Sequence, residues 1–343
     1  DRLTSPMRRR DDGTFEAIDW DTAIAEIAER FRAVADAHGG ESIFYYGGGG
    51  QGNHLCPGYG SSIHRVLGGL YHSSALAQEK TGEFWVDAQM YGGHTRGDFE
   101  HTSCAVFVGK NPWQSHGVAR ARPTLNAIAN DPDRTMIVID PRRSETAEMA
   151  DIHLQLLPGT DAWCLSAMLG VIVQEDLYDH EFVERHITGV EPVLAAFADI
   201  PVGEYASHAG LDEELVRRAA RTIAAAPSAA FYEDLGIQQS PNSTLCTYLE
   251  KLIWVLTGNF ATRGGVFIHS SLIDVTNGGR VGAPSPVLGH RVVSVAVPCN
   301  TICDEILSDH PARYRAMIIE SSNPVHSLAD SAKWRAALRS LEF

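Results

Sequence analysis

The chain alternates between short apolar runs, each closed by a polar turn, and longer stretches in which apolar residues recur at helical spacing. The clearest runs cover residues 104–108, 135–139 and 152–157. Apolar runs of about five residues are typical of strands that are buried on both faces of a parallel sheet. Repeated strand, turn and helix units therefore predict an α/β fold.

Each of these three runs stops at a cluster of turn-forming residues. The clusters are Gly109-Lys110-Asn111-Pro112, Asp140-Pro141-Arg142-Arg143 and Pro158-Gly159-Thr160-Asp161. In an open parallel sheet, ligands bind just beyond the carboxyl ends of the strands. The pattern predicts a nucleotide-like pocket built by residues 105–161.

Two carboxylates accompany these turns. Asp140 directly follows the second run, and Asp161 precedes a helical segment whose body is residues 163–173. A carboxylate at a strand end can accept paired hydrogen bonds from ribose hydroxyls or from guanine N–H groups. As the cap of the helix, Asp161 would equally be explained by structure alone. Both interpretations stay open for Asp161.

The first part of the chain predicts a long helix and a glycine-rich loop. Ile24, Ile27, Phe31 and Val34 repeat at helical spacing within residues 18–38, and a short strand is expected at residues 42–46. The loop at 47–60 lacks the G-x-x-x-x-G-K-[ST] arrangement of a P-loop. Gln51 is its best side chain for holding a heterocycle, and a flexible loop is the alternative.

The remaining segments complete the α/β pattern. Helices are expected at residues 61–70, 118–130, 179–186, 191–197, 212–226 and 240–256, and strands at 228–232 and 317–319. Residues 92–98 resemble a loop, and residues 270–300 are irregular and rich in glycine.

Composition narrows the function mainly by exclusion. A net charge of −15 argues against a general nucleic-acid binder, and a length of 343 residues predicts two domains. None of the six cysteines forms a C-x-x-C pair, so buried thiols in a reducing compartment are expected. No apolar run reaches the length of a membrane span and no signal sequence is visible, which favours a cytoplasmic location.

The order of the motifs is more specific than any one of them. The chain carries RLTSPMRR, W-D-x-A-I, GKNPWQSH, VIDPRRSETAEMAD, PGTD, LTGNFATRGG and SNPVHS in succession. Together they resemble the molybdopterin oxidoreductase family, which includes formate dehydrogenases, nitrate reductases and dimethyl sulfoxide reductase. The resemblance covers nearly the whole chain and leaves the substrate undetermined.

The resemblance implies a cofactor in which two molybdopterin guanine dinucleotides hold one molybdenum or tungsten. It implies that the strand-end turns bind one dinucleotide, that the loop at 235–239 contacts the second near the metal, and that two outlying residues contact further parts. The implied cofactor-binding residues are Gln51, Gly109, Lys110, Asn111, Pro112, Ser115, His116, Asp140, Pro141, Arg142, Gly159, Asp161, Leu235, Gly236, Gln239 and Asn323. Loop amides and helix N-termini suit pyrophosphate, which supports this implication.

Two departures from the family pattern matter. The family usually carries an amino-terminal domain whose cysteines hold a 4Fe-4S cluster, and this chain opens where that domain normally ends, so a fragment without its missing domain is expected. The family's metal ligand is typically cysteine, selenocysteine, serine or aspartate, and Glu79 stands at that position here. A carboxylate is a suitable hard ligand for a high-valent metal. The alternative is that Glu79 is an ion-paired pocket residue.

Three further residues are catalytic candidates. Lys80, His94 and Arg96 would orient an anionic substrate, although each is equally explained as surface or loop structure. Lys80 replaces the histidine that follows the metal ligand in formate dehydrogenases. Formate chemistry is therefore in doubt.

The resemblance thus implies formate dehydrogenase-like and dimethyl sulfoxide reductase-like central domains of the α/β class. A Rossmann-like domain at residues 75–262 would be inserted in a discontinuous α/β domain made of residues 1–74 and 263–343.

The expected function is two-electron redox or oxygen-atom transfer on a small substrate, with an electron-transfer partner and without a membrane span. The fragment is expected to be inactive without its missing domains. The alternative is a non-catalytic nucleotide-binding or scaffold subunit; a nicotinamide dehydrogenase is weaker because no G-x-G-x-x-G follows a strand.

Overall fold

Residues 2–47, 56–270, 283–292 and 296–343 are described by a computed structural model of the chain. Contacts between residues divide the chain into two compact units. The first unit combines the two ends of the chain, Asp1–Gln78 and Val281–Phe343, and the second is the continuous segment Glu79–Arg280. That these units correspond to separate domains stays a prediction.

The secondary structure follows the predicted α/β pattern. The strands are β1 Met7–Arg9, β2 Phe15–Ala17, β3 Ile43–Gly47, β4 His72–Ser73, β5 Thr95–Gly97, β6 Cys104–Val108, β7 Thr135–Ile139, β8 Ile152–Leu154, β9 Ala229–Glu233, β10 Val266–Ile268 and β11 Ala316–Glu320. The helices are α1 Trp20–His38, α2 Cys56–Val66, α3 Leu76–Glu79, α4 Thr81–Tyr91, α5 Pro112–Ser115, α6 Ala121–Ala129, α7 Glu145–Glu148, α8 Asp161–Gln174, α9 His180–His186, α10 Glu191–Ala198, α11 Val202–His208, α12 Glu213–Ala225, α13 Leu235–Gln238, α14 Ser243–Leu256, α15 Ile302–Leu307, α16 Pro324–Ser327 and α17 Ser331–Ser340.

The second unit is built on a four-stranded sheet of order β8-β7-β6-β9, in which every pair is parallel. Both faces of the central strand β6 are covered. Val106 and Val108 belong to a large apolar core that includes residues of α8, α12 and α14. Ala105 and Phe107 belong to a smaller core that includes residues of α6. This two-sided burial explains why β6 and β7 are almost entirely apolar, and it confirms the predicted α/β class.

The first unit has a three-stranded parallel sheet of order β11-β3-β4. Phe44 and Tyr46 of the central strand pack in one core with Trp334 of α17. Ile43 packs on the opposite side with Phe31 and Val34 of α1. The short antiparallel pair of β1 and β2 precedes α1.

Two local predictions were wrong, and the apolar repeat of α1 is only partly buried. Residues 92–98 are not all loop, because β5 lies within them and pairs antiparallel with β10. Ile24 and Ile27 of α1 are 61% and 46% exposed, whereas Ala23 is buried. Thr160, and not Asp161, holds the N-cap position of α8, and Asp161 is its first helical residue.

Candidate functional site at the carboxyl edge of the sheet

The loops that follow β6 and β9 touch through two glycines. The Gly236 N–H donates to the Gly109 carbonyl at 3.1 Å. A Cβ on Gly109 would lie 2.7 Å from the Ile237 nitrogen, and one on Gly236 would lie 2.6 Å from the Gly109 Cα. Gly109 also has a positive φ of 58°, which side chains other than glycine rarely adopt. Both positions therefore require glycine for this backbone contact.

A second link joins the loops after β6 and β7. Asn111 Nδ2 donates to Glu145 Oε2 at 2.8 Å, and Asn111 Oδ1 accepts from Thr146 Oγ1 at 2.7 Å. Hydrogen bonds from Gln114, from its own backbone and from Asn111 lower the pKa of Glu145 to about 2. The Asn111 amide thus holds two loops together, a role that the sequence did not predict.

Because the strands are parallel, the predicted dinucleotide-binding residues of this unit follow strand ends on one edge of the sheet. Most of them are exposed, as a ligand site requires. The exposed residues are Ser115, His116, Pro141, Arg142, Gly159, Leu235, Gly236 and Gln239. Pro112 and Lys110 are buried.

Asp140 and Asp161 lie close enough to influence each other. Asp161 is buried. Its burial raises its pKa, and the negative charge of Asp140 adds to this effect. Asp140 Oδ1 accepts a hydrogen bond from the Arg142 backbone N–H at 2.8 Å. Two neighbouring carboxylates favour a ligand that brings hydrogen-bond donors, and ribose hydroxyls and guanine N–H groups are such donors. These residues fit the guanosine part of the implied cofactor.

Lys110 does not face this edge freely. Its ammonium is paired with the Asp234 carboxylate and lies 4.7 Å from the centre of the Tyr232 ring. Lys80 Nζ lies 3.0 Å from Asp234 Oδ1 and 2.7 Å from Glu83 Oε2. Burial opposes the charge of Lys80, but Glu83 and Asp234 outweigh it and raise the pKa of Lys80.

Glu79 is the last residue of α3 and directly precedes the ion-paired Lys80. Its side chain is half-buried. It forms no hydrogen bond or ion pair with the described part of the chain. The alternative of an ion-paired Glu79 therefore finds no partner among the described residues.

Of the candidates His94 and Arg96, only Arg96 lines a cavity of about 400 Å³ within the second unit. His94 Nδ1 is 2.8 Å from Asp87 Oδ2. Arg96 lines the cavity, and its Nη1 donates to the Gly117 carbonyl at 3.3 Å. Arg96 thus has access to a small molecule, whereas His94 is already engaged with a carboxylate.

One buried group has the spacing of a metal site. Ligand atoms of Glu83, Asp87 and His94 lie within 4.8 Å of one another. However, Lys251 Nζ is 3.0 Å from Asp87 Oδ1 and Lys80 is paired with Glu83. Burial opposes ionisation, yet Lys251 and His94 lower the pKa of Asp87 to about 2. Ammonium groups therefore already supply the positive charge that a metal would bring, and we assign no metal to this group.

Five buried charged residues of this unit were not predicted from the sequence. They are Glu83, Asp87, Glu233, Glu250 and Lys251. The available signal was the pair Glu250-Lys251 inside the apolar run of α14, because charged residues in a helix that is apolar on all sides must be paired.

Two predicted residues belong to the first unit or its loop. Gln51 lies outside the described residues. Asn323 is exposed and caps α16, where its Oδ1 accepts from the His326 N–H at 3.3 Å. Its side chain therefore has a local structural role.

Comparison with known proteins identifies the family of the chain. A family profile described as molybdopterin oxidoreductase matches residues 2–342. The chain is 28% identical to the acetylene hydratase of Syntrophotalea acetylenica, over 80% of this chain and 38% of the relative. It is 26% identical to the F420-dependent formate dehydrogenase subunit alpha of Methanocaldococcus jannaschii, over 100% of this chain and 52% of the relative.

A solved structure shows the same fold. Acetylene hydratase from Pelobacter acetylenicus superposes with a TM-score of 0.84 at 23% identity, covering 100% of this chain and 52% of that chain. The chain therefore spans 52% of that structure, and 38% and 52% of the two curated relatives above. Among the described helices, none combines the length and apolar character needed to cross a bilayer.

Proposed function

Because the chain belongs to the molybdopterin oxidoreductase family, we propose that it forms the central part of an enzyme that holds molybdenum or tungsten between two molybdopterin guanine dinucleotides. When bound, this group supplies a metal that changes its oxidation state by two electrons. The supporting observation is the carboxyl edge of the sheet, where a glycine contact joins two loops and Asp140 and Asp161 offer acceptors to a ligand. The substrate would be a small molecule.

In this proposal, the loops after β6, β7 and β8 hold one dinucleotide. Gly109, Ser115 and His116 approach the pyrophosphate, and Asp140 and Asp161 accept hydrogen bonds from the ribose and guanine. The loop at 235–239 contacts the second dinucleotide, with Gln239 exposed there. Lys110 contributes indirectly, since its ion pair with Asp234 fixes the start of that loop.

Glu79 is the proposed protein ligand of the metal. Its support is the position in the family pattern and a half-buried carboxylate without a partner in the described chain. Lys80 sits beside it as a fixed positive charge, which favours an anionic group nearby. Arg96 is the proposed substrate-orienting residue, because it lines the cavity.

For the whole protein, we further propose a 4Fe-4S cluster in another domain, an electron-transfer partner and a cytoplasmic location. Acetylene hydratases are among the similar proteins, so a second candidate is addition of water to an unsaturated substrate, which transfers no net electrons. The third is a scaffold subunit that keeps the fold without metal.

Metal and nucleotide analysis of the full-length protein tests the proposal. We expect about one molybdenum or tungsten per protein and guanine nucleotide released on denaturation. A metal-containing protein that turns over a substrate without an electron donor or acceptor would favour the hydratase. Absence of both metal and pterin in protein from a host that makes the cofactor would favour the scaffold.

A further inference from the structure

Four buried carboxyl groups surround one lysine inside the second unit. Glu83 and Asp87 come from α4, Glu233 from the end of β9 and Glu250 from α14, next to Lys251. None of the five residues is more than 4% exposed. Buried charges are costly unless each is paired, so their pairing shows how many remain ionised.

Only two of the four carboxyl groups have a lysine ammonium within 3.0 Å. Lys251 Nζ is 3.0 Å from Asp87 Oδ1, and Lys80 Nζ is 2.7 Å from Glu83 Oε2. Glu250 Oε2 is farther from Lys251 Nζ, at 3.7 Å, and accepts from Trp254 Nε1 at 3.3 Å. Glu233 and Glu250 are therefore left without a cation of their own in the described chain.

Glu233 shows the strongest sign of an uncharged carboxyl. Its Oε1 accepts from Thr247 Oγ1 at 2.7 Å and from Gln238 Nε2 at 3.2 Å. Its Oε2 is buried and has no hydrogen-bond partner in the described chain. An ionised carboxylate would leave this oxygen with an uncompensated charge, and a proton removes that charge. Burial raises the pKa of Glu233 well above its usual range and that of Glu250 to about 7.

Both groups, together with Glu83, line the same cavity of about 400 Å³, whose wall also includes the exposed Glu100. A cavity of this size that is lined by carboxyl groups has room for water. Glu83 in turn contacts Lys80, which follows the proposed metal ligand. The other titratable or charged groups of the described chain that face the pair or its cavity are Asp87, Tyr91, Arg96, Asp98, Tyr232, Lys251 and His269.

We propose that Glu233 and Glu250 form a proton-holding pair, which takes up and releases protons through this cavity beside the catalytic region. Each exchange moves one proton between a carboxyl oxygen and water, and no electron moves with it. The use of these protons in turnover rests on the proposed function, since two-electron oxidation of most small substrates releases protons. The pair itself exists whether or not a metal is bound.

Infrared difference spectra of the full-length protein, recorded between pH 5 and pH 9, test the pair directly. We expect the C=O band of protonated carboxyl to persist at pH 7 and to lose one component with a midpoint near pH 7. Glu233→Gln should remove the persistent component, and Glu250→Gln should remove the titrating one. Glu175→Gln is the control, because Arg221 and Arg217 hold the pKa of Glu175 below its usual range.

Thermal unfolding of the same variants gives a second readout. A carboxyl whose folded pKa is raised binds more protons when folded, so wild-type stability should fall as pH rises from 5 to 8. Glu250→Gln should flatten this dependence, and Glu233→Gln, which mimics the protonated side chain, should be tolerated. No protonated-carboxyl band at pH 7, or severe destabilisation by Glu233→Gln, would overturn the proposal. The infrared and unfolding measurements can both be made on metal-free protein, so their result does not depend on whether the proposed redox function is correct.

Discussion

At the scale of single residues, the candidate site depends on positions where only one chemical type fits. Gly109 and Gly236 allow two loop backbones to touch, and Glu79 presents a carboxylate without a partner in the described chain. The first feature concerns backbone space and the second concerns ligand chemistry. Each is therefore tested by a different measurement.

Replacing Gly109 by Ala should destabilise the protein by roughly 2–3 kcal/mol, because strain at positive φ adds to the clash with the 236–237 backbone. Gly189→Ala is the matched control. Gly189 also has positive φ, at 72°, but its added Cβ meets nothing within 4 Å, so about 1 kcal/mol is expected. Urea unfolding measures both, and equal losses would contradict the role of the loop contact.

Replacing Glu79 by Ala should change the first coordination shell of the metal. The lost oxygen neighbour is detected by X-ray absorption on the full-length protein isolated with its cofactor. Glu148→Ala, at an exposed position of α7, should leave the spectrum as it is. An unchanged shell in Glu79→Ala would remove Glu79 as a ligand.

At the scale of elements, the sequence predicted what depends on local pattern. The bounds of β6 and β7 match the prediction, because an uninterrupted apolar run needs burial on both faces. β5 was missed because its three residues carry no such pattern and become a strand only by pairing with β10. Ile24 and Ile27 share helical spacing with Phe31, and periodicity alone did not separate the buried side of α1 from its exposed side.

The buried charges were missed for a similar reason. Glu and Lys favour the surface unless partners are supplied, and the partners of Lys251 come from another helix, α4. The strand-end turns, by contrast, were recognisable because their residue types and order are specific. The sequence thus predicted which turns follow the strand ends, but not the side-chain links between these turns; that the turns bind a dinucleotide stays a prediction.

The ion pair between α14 and α4 should be a major contributor to stability. Lys251→Met leaves the buried Asp87 carboxylate without its cation and should cost about 3–5 kcal/mol near pH 6. Lys333→Met is the control, because its pair with Asp304 is partly exposed and should cost at most about 1 kcal/mol. Denaturant unfolding measures both losses of stability. Similar losses would show that the buried pair contributes no more to stability than the partly exposed one.

The cost of Lys251→Met should also depend on pH. Asp87 has a folded pKa lowered to about 2, so its contribution is present above its unfolded pKa and is lost as pH falls towards 2. The stability difference between wild type and Lys251→Met should therefore be smaller at pH 2.5 than at pH 6. A difference that grows on acidification would contradict the assigned pairing.

At the scale of the whole molecule, the nucleotide edge lies entirely in the continuous second unit. GDP is therefore a suitable probe of this edge in the full-length protein prepared without its cofactor. Asp161→Asn should weaken GDP binding about tenfold, equivalent to one lost charge-assisted hydrogen bond of about 1.4 kcal/mol. Asp199→Asn, at an exposed helix end, is the control.

Isothermal titration calorimetry measures this binding across pH. Because the pKa of Asp161 is raised, affinity for GDP should decline on acidification at a higher pH than an ordinary aspartate would give. Equal affinities of wild type and Asp161→Asn would place the guanine elsewhere.

The sheet of the first unit has a consequence for how the protein is made. Tyr45 of β3 donates a hydrogen bond to Glu320 of β11, 275 residues later in the chain. During translation, β3 emerges early and stays without this partner until the whole second unit has left the ribosome. Closing so long a loop is slow, so β3 needs protection from aggregation in the interval. Synthesis rate and chaperone supply should therefore govern the yield of the first unit more than that of the second.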